Sequence, residues 1–460
     1  RRHTRYGTVT GVQTCALPIF LLYADDMALV ATTAAGLQAQ LGVLHTYCER
    51  SAIVVNTAKT KVLLLAGARS AAAAVVKAQA AGLRFGGVQL EVVSSFRYLG
   101  IMFAAGQPLT AAAAPVRTQA ARAAMAACNQ RCAALGVLAG GVRLRLFSTM
   151  VDSVLSHGAE VWAVQFVAAA VAGSTRGGMC SSGSAAETLH MGYLRRLLGV
   201  RQATPNGVVL LETGERPLWM RWLQRACRLW NRLTAAPPGS LLHAAFSSSC
   251  QLAAEAPANL PLARQSWAAQ LAAALRGIGM PVDLAQPRQV GQEQLKRAAM
   301  RHHLLEIQAA AGRPGASKLA HYLAAAWGGQ LPGVEEYVPL PAAYLGTVRQ
   351  RSRRVALAQL RTGSHWLAEE TGRWERVPRV QRTCPHCQGG LEDVQHVLFV
   401  CPLYAPVRAR FPDLVFEPTV HAFLGQDPAL VAAFVADCQR THAAATATLA
   451  GGAAAGPNPE

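Results

Sequence analysis

The chain has 460 residues, a formal net charge of +19 at pH 7 and 52% hydrophobic residues. This length leaves room for several domains with large buried cores, and the charge favours a polyanionic partner such as nucleic acid. A membrane protein is not expected, because the chain has no uncharged apolar run of the roughly 18 residues that cross a bilayer. Eleven cysteines without a secretory signal favour a reducing compartment and, where three of them cluster with a histidine, a metal site.

The first segment of the chain, RRHTRYGTVTGVQTCALPI, has no hydrophobic period, no helix cap and no targeting core. Residues 9–19, VTGVQTCALPI, match one translated frame of a sequencing-adapter DNA string, and residues 2–5 match adapter DNA upstream of it. We therefore interpret residues 1–19 as translated adapter. The alternative is a natural basic arm.

The stretch FLLYADDMALVA, residues 20–31, predicts a β-hairpin. Apolar residues 20–22 and 27–30 are expected to form two strands with buried flanks, and the turn between them presents Asp25 and Asp26 together. Adjacent carboxylates are hard oxygen ligands of the kind that Mg²⁺ prefers. The alternative is a plain tight turn, since Asp is common in turns.

Residues 23–26, YADD, resemble the YxDD hairpin, motif C, of reverse transcriptases from non-LTR (LINE-type) retrotransposons. Further segments follow in the order found in that family. The first is a helix with apolar positions Leu37, Leu41, Leu44 and Cys48. The second is a motif D-like stretch with Asn56 and the KTK run at 59–61. The last two are a hairpin turning at Gly86-Gly87 and the stretch FRYLGIMF at 96–103, which is similar to motif E. The resemblance implies an α+β fold that begins with part of a palm, made of antiparallel hairpins and a helix.

The resemblance also implies a mechanism, nucleotide addition by two Mg²⁺ ions, with an RNA template and a DNA primer or target as partners. Asp25 would be the main metal ligand of the hairpin and Asp26 a second or supporting one. Lys59 is a candidate proton donor to pyrophosphate, or else a solvated charge at the start of a strand. Leu99-Gly100 would belong to a primer grip, held by its backbone.

One element of the family's site is missing from the expected place. A further Asp, from motif A, lies well upstream of YADD in the family, where this chain has only the suspected adapter. The segment VDSVL at Asp152 is a faint substitute, and its surroundings favour a helical thumb. We therefore expect the C-terminal portion of a polymerase, inactive by itself. The alternative is a nucleic-acid-binding remnant or a domesticated RNA-binding protein.

Residues 106–235 predict a helical thumb and connector, rich in helix-forming Ala and Arg. Arg195 and Arg196 are candidate RNA contacts, with three tryptophans nearby that would stack on bases. Because Trp219, Trp222 and Trp230 recur at helical spacing, a core position is the favoured interpretation for them. Residues 236–345 predict Ala- and Pro-rich helices and linkers, without a chemistry that the sequence identifies.

A second motif, CPHCQGGLEDVQHVLFVC, places Cys384, Cys387, His396 and Cys401 at a spacing typical of Zn²⁺ ligands. Four protein ligands leave no open position, so the metal is expected to be structural. The spacing is similar to the C-terminal zinc-binding segment of LINE-type reverse transcriptases. The alternative is a chance cysteine cluster, and His386 and Cys438 are left without a role.

The segment before this motif, residues 349–382, contains nine arginines and three glutamates with Trp366 and Trp374 among them. Clustered arginines and aromatic residues favour a nucleic-acid-binding surface, and the alternative is a basic amphipathic helix without a specific partner. The candidate contacts are Arg351, Arg353, Arg354 and Arg361.

The predicted domain order is therefore an adapter artefact (1–19), part of a palm (20–105), a helical thumb and connector (106–235), a helical linker (236–345), a basic segment with a CCHC zinc module (346–405) and a partly disordered tail (406–460). The resemblance implies a retroelement ribonucleoprotein in nucleus and cytoplasm, with Mg²⁺ and Zn²⁺ as cofactors. The sequence leaves the oligomeric state open.

Overall fold

The computed structural model describes residues 19–65, 70–106, 112–173, 184–257, 259–315, 317–416 and 419–453. Within these ranges the fold is mixed α and β, and mostly helical. The described residues divide into two compact units, one from residues 19–116 and 232–266 and the other from residues 117–231 and 267–453. The suspected adapter lies outside the described residues, except for Ile19.

The strands lie in the first unit and form two-stranded sheets. Three of these sheets are antiparallel hairpins: β1 (Ile19–Tyr23) with β2 (Asp26–Val30), β4 (Arg84–Phe85) with β5 (Val88–Gln89), and β7 (Ser95–Tyr98) with β8 (Ile101–Ala104). A short parallel pair joins β3 (Lys61–Val62) to β6 (Glu91–Val92).

Helices make up most of the described chain. In chain order the α-helices are α1 (Ala34–Arg50), α2 (Ala71–Ala80), α3 (Ala113–Ala134), α4 (Gly140–Leu146), α5 (Ser153–Leu155), α6 (Ala159–Trp162), α7 (Val164–Gly173), α8 (Ala185–Leu198), α9 (Asn206–Thr213), α10 (Leu218–Thr234), α11 (Leu241–Ala254), α12 (Trp267–Gly277), α13 (Gln292–Ala311), α14 (Ser317–Trp327), α15 (Tyr344–Thr347), α16 (Arg351–Arg361), α17 (Ala368–Thr371), α18 (Ala405–Ala409), α19 (Val420–Leu424) and α20 (Pro428–Ala453). Two π-helical stretches, Phe147–Asp152 and His396–Val400, interrupt this series. Within the described ranges, every helix falls short of the length and apolar character needed to cross a membrane.

Helix α1 forms the centre of the first unit's core, on the face predicted from the sequence. The side chain of Thr33 caps its N-terminus by accepting a hydrogen bond from the Gly36 N–H at 3.0 Å. Apolar residues three or four positions apart then share one face of the helix. The buried cluster consists of Leu41, Leu44, Cys48, Val62, Leu83, Phe85 and Leu90, with Leu29, Leu37, Val55 and Val92 packed against it.

The predicted hairpin at Gly86-Gly87 is confirmed, and a second hairpin turns at Leu99-Gly100. Gly86 and Gly87 both have positive φ, +54° and +80°, and they connect β4 to β5. Leu99 and Gly100 connect β7 to β8 in the same way, with φ of +46° and +80°. Two-residue turns with positive φ match the right-handed twist of the flanking strands, which is why Gly is favoured there.

The YADD hairpin forms as predicted, with Tyr23 opposite Asp26, but the prediction that its flanks are buried is wrong. Leu22 is 65% exposed and Met27 is 40% exposed. The reason is that β1 and β2 pair only with each other among the described strands, and β2 contributes only Leu29 to the α1 core. A two-stranded ribbon of this kind leaves one face to the solvent.

The second unit is a helical assembly whose largest core side chains are tryptophans. Trp219, Trp222 and Trp230 are at most 1% exposed, which confirms the interpretation of these residues as core. Their position excludes base stacking in this fold. The indole N–H of Trp222 donates to Ser156 Oγ at 3.0 Å, so burial leaves this donor satisfied.

Asp152 lies in helical structure, as its surroundings favoured. It ends the π-helix Phe147–Asp152, is buried, and forms an ion pair with Arg221 at 3.2 Å. Because its carboxylate is used inside the second unit, Asp152 has a structural role in this fold.

Candidate metal centre

The segment around Cys384 is a short turn that returns on itself. Thr383 forms an antiparallel bridge with Leu391, and the Cys384 N–H donates to the Gly390 carbonyl at 2.8 Å. Gln388 and Gly390 both have positive φ, which lets the chain reverse within a few residues. This reversal brings the Cys384 and Cys387 side chains to the same side of the turn.

The other two predicted ligands come from the π-helical turn that follows. His396 begins this turn, and the Cys401 N–H donates to the His396 carbonyl at 2.8 Å, closing a five-residue loop. Arg408 holds the end of the turn by donating to the Cys401 carbonyl at 2.7 Å. The local backbone therefore explains why a His and a Cys five positions apart meet at one point.

The four predicted ligand atoms lie within 4.8 Å of one another. The Cys401 sulfur is 3.8 Å from the Cys384 sulfur and 3.8 Å from the Cys387 sulfur. Zinc with sulfur ligands at about 2.3 Å, in a tetrahedron, places neighbouring sulfurs about 3.8 Å apart. The fourth donor, His396 Nε2, is 3.2 Å from the Cys387 sulfur. The cluster therefore has the donors and the dimensions to hold a metal such as Zn²⁺.

The electrostatics of the cluster fit a metal-bound thiolate site. Burial raises the pKa of the Cys401 thiol to about 12 and raises the pKa of Cys384 as well, so neither thiol ionises readily without a cation. Burial opposes ionisation of Cys387 too, but the Gly389 N–H and the neighbouring thiols outweigh it and lower its pKa. Burial lowers the pKa of His396, which keeps the imidazole neutral and able to bind a metal.

The predicted Mg²⁺ ligands lie on the tip of the β1–β2 hairpin, and both are exposed. Asp25 follows Ala24, which has a φ of +53°, in the two-residue turn, and Asp26 begins β2. Among the described residues, no carboxylate, His or Cys joins them in a group of three that could hold a metal. Lys59 is exposed on a separate turn, where its backbone N–H donates to Asn56 Oδ1 at 3.1 Å.

Two of the predicted nucleic-acid contacts, Arg354 and Arg361, lie inside the second unit instead. Arg354 is 3% exposed and donates to the Leu138 carbonyl at 2.6 Å and to the Val348 carbonyl at 3.0 Å. Arg361 forms a bidentate ion pair with the fully buried Glu212. Both guanidinium groups bind the protein's own chain, so neither faces a nucleic acid in this conformation.

The remaining predicted arginines are more accessible. Arg196 and Arg351 are exposed and Arg353 is half-buried. Arg195 donates to the Thr204 carbonyl at 2.7 Å and to Asn206 Oδ1 at 2.6 Å, which ties α8 to the start of α9. Of the predicted set, Arg196, Arg351 and Arg353 therefore remain the candidates for phosphate contacts.

A basic and aromatic surface lies near residues 384–401, which contain the four predicted metal ligands and which we call the zinc-type module. The sequence identified this surface only in part. We call it the Trp374 surface, and it consists of Arg201, Trp374, Arg376 and Arg379. Trp374 is 52% exposed, and the Arg201 guanidinium lies 3.5 Å from its ring centroid. Arg376 and Arg379 are exposed close to it in sequence, and the Arg379 guanidinium donates to the Glu369 carboxylate at 3.1 Å. Arg201 was missed because it lies in a different helical connection, far from residues 349–382.

Comparison of the chain with models of protein families, with curated proteins and with solved structures finds no match. The interpretation of the site therefore rests on the residues and the geometry described above.

Proposed function

We propose that the protein is part of an RNA-directed DNA polymerase of the non-LTR retrotransposon type, with a role in gripping template and primer. The β1–β2 hairpin carries two of the carboxylates that would hold Mg²⁺ in the intact enzyme. The zinc-type module supports the Trp374 surface, which binds single-stranded nucleic acid by charge and stacking. Nucleotide addition needs a further carboxylate, which the described residues do not bring to Asp25 and Asp26.

The observation that supports this proposal most is the exposed pair Asp25 and Asp26 on a tight hairpin turn. Adjacent carboxylates in an exposed turn repel each other. A divalent cation held by Asp25 and Asp26 would offset this repulsion and would supply positive charge for a phosphate of the primer. The ordered succession of the β1–β2 hairpin, α1, the β4–β5 hairpin and the β7–β8 hairpin also supports it.

The proposal can be tested by measuring whether Mg²⁺ strengthens the binding of a primer–template to the chain. The chain is expected to shift an RNA–DNA primer–template in a gel without extending it, and Mg²⁺ is expected to strengthen this binding. The variant with Asp25→Asn and Asp26→Asn should lose the Mg²⁺-dependent increment, while Glu49→Gln, at an exposed carboxylate on α1, should keep it. Failure of the wild-type chain to bind the primer–template would reject the proposal.

The second candidate function is a remnant or domesticated RNA-binding protein whose hairpin has no metal role. The absence of a third metal-binding side chain beside Asp25 and Asp26, among the described residues, favours it. This candidate predicts primer–template binding that Mg²⁺ does not strengthen. The variant with Asp25→Asn and Asp26→Asn should then bind like the wild-type chain. Mg²⁺-dependent extension by the wild-type chain, abolished by Asp25→Ala, would contradict both candidates and make the chain a complete polymerase.

A further inference from the structure

A second group of metal-binding side chains lies beside the four-ligand cluster. One donor atom each from His386, Glu392 and His442 lies within 4.8 Å of the other two. These residues come from three places: the turn between Cys384 and Cys387, the loop before His396, and the long C-terminal helix α20. His442 is the member of this group that comes from outside residues 384–401.

The carboxylate of Glu392 is at the centre of this group and is only 1% exposed. Its Oε2 accepts a hydrogen bond from the Ala368 N–H at 2.7 Å, which fixes its orientation at the start of α17. Its Oε1 lies 3.4 Å from His442 Nδ1 and 3.8 Å from the Cys384 sulfur. One oxygen is thus held by the backbone, and the other lies beside His442 and the Cys384 sulfur.

The imidazole of His386 supplies an independent indication of a missing ligand. Its Nε2 is buried and has no hydrogen-bond partner among the described residues. The ring packs edge-to-face on His442, with ring centroids 5.0 Å apart and planes at 85°. A buried polar atom without a partner costs about 1–3 kcal/mol, and a metal ion at this point would remove that cost.

We propose that His386, Glu392 and His442 bind a second divalent transition-metal ion, adjacent to the first. Two imidazoles and one carboxylate are a donor set that suits Zn²⁺. Three protein ligands leave a position open for water or for the Tyr404 hydroxyl, which lies 3.1 Å from His442 Nδ1. Helix α20 would then be attached to the zinc-type module through the metal as well as through packing.

The test is the metal content of the full-length reduced chain, titrated with Co²⁺ and followed by visible absorption. Two Co²⁺ ions per chain are expected, of which one gives thiolate-to-cobalt charge transfer. His386→Ala and His442→Ala should each lower the count to one and keep the charge-transfer band. His243→Ala, on helix α11, should leave the count at two.

One Co²⁺ ion per wild-type chain with the full charge-transfer band would overturn the second site, and so would an unchanged count of two in both histidine variants. The first result would mean that Tyr404, His442 and Glu392 form a hydrogen-bonded network without a metal, and the second would mean that the second ion binds elsewhere. A single ion without the charge-transfer band, lost in His442→Ala, would instead support the second site and contradict the first. The failures of the two sites are therefore distinguishable.

Discussion

Removal of the metal from the four-ligand cluster is expected to unfold the C-terminal part of the second unit. The segment from Cys384 to Cys401 has little regular structure of its own, with one β-bridge and one π-helical turn. In small zinc domains metal binding supplies on the order of 10 kcal/mol of folding free energy. The Cys401→Ser variant is expected to behave like the chelated protein, because a hydroxyl is a poor zinc ligand.

The unfolding should extend beyond the ligands because neighbouring elements depend on the module. The Glu369 N–H donates to the Glu392 carbonyl at 3.1 Å, which connects α17 to the ligand loop. Arg408 links α18 to the turn that contains Cys401. Loss of the metal would disrupt the ligand segment and with it the hydrogen bonds that hold α17 and α18 in place.

Thermal unfolding followed by circular dichroism measures this effect. A zinc chelator should lower the melting temperature, Zn²⁺ should restore it, and Mg²⁺ should not. Cys438→Ala serves as a matched control, because Cys438 is a buried thiol on α20 outside the four-ligand cluster. An unchanged melting curve after complete removal of the metal would show that the cluster is not a structural zinc site.

A similarly large effect is expected from breaking the buried ion pair of Arg361 and Glu212. Arg361 Nε donates to Glu212 Oε1 at 2.7 Å, and the Tyr322 hydroxyl donates to Oε2 at 2.8 Å. Burial by itself would lower the pKa of Arg361, but the Glu212 carboxylate outweighs it and raises that pKa. Arg361→Leu leaves the carboxylate buried without its cation, which costs about 3–5 kcal/mol.

Urea unfolding of four variants, namely Arg361→Leu, Glu212→Leu, the double variant and Arg297→Leu, separates the ion pair from simple packing. Arg361→Leu should lower the midpoint strongly, and adding Glu212→Leu should recover much of the loss, because the double variant contains no uncompensated charge. Arg297→Leu removes an exposed pair with Glu335 and should change the stability by about 0–1 kcal/mol. A double variant as unstable as the sum of the single changes would contradict this explanation.

The local elements of the fold were predictable from the sequence. The Gly86-Gly87 turn and the apolar face of α1 depend on residues only a few positions apart, and both are confirmed. The four-ligand cluster was also predictable, because all its ligands lie within 18 residues. Short-range chemistry of this kind leaves few alternative arrangements.

The roles of the arginines could not be predicted in the same way. Arg354 and Arg361 lie in a basic run that resembles a nucleic-acid-binding segment, yet their partners are 216 and 149 residues away. The Arg201–Trp374 stack and the contact of His442 with Glu392 are also long-range. Composition alone does not distinguish an arginine that binds phosphate from one that binds a distant carbonyl.

Nucleic-acid binding through the Trp374 surface is tested most directly by fluorescence anisotropy with a labelled single-stranded RNA at several salt concentrations. The wild-type Kd should rise steeply with salt, since phosphate contacts release counterions. Trp374→Ala should weaken binding about 5- to 150-fold, which corresponds to a stacking contribution of about 1–3 kcal/mol. Tyr47→Ala, at a 58% exposed aromatic residue of the first unit, should bind like the wild type. Equal affinity of the Trp374→Ala and wild-type proteins would contradict the proposed surface.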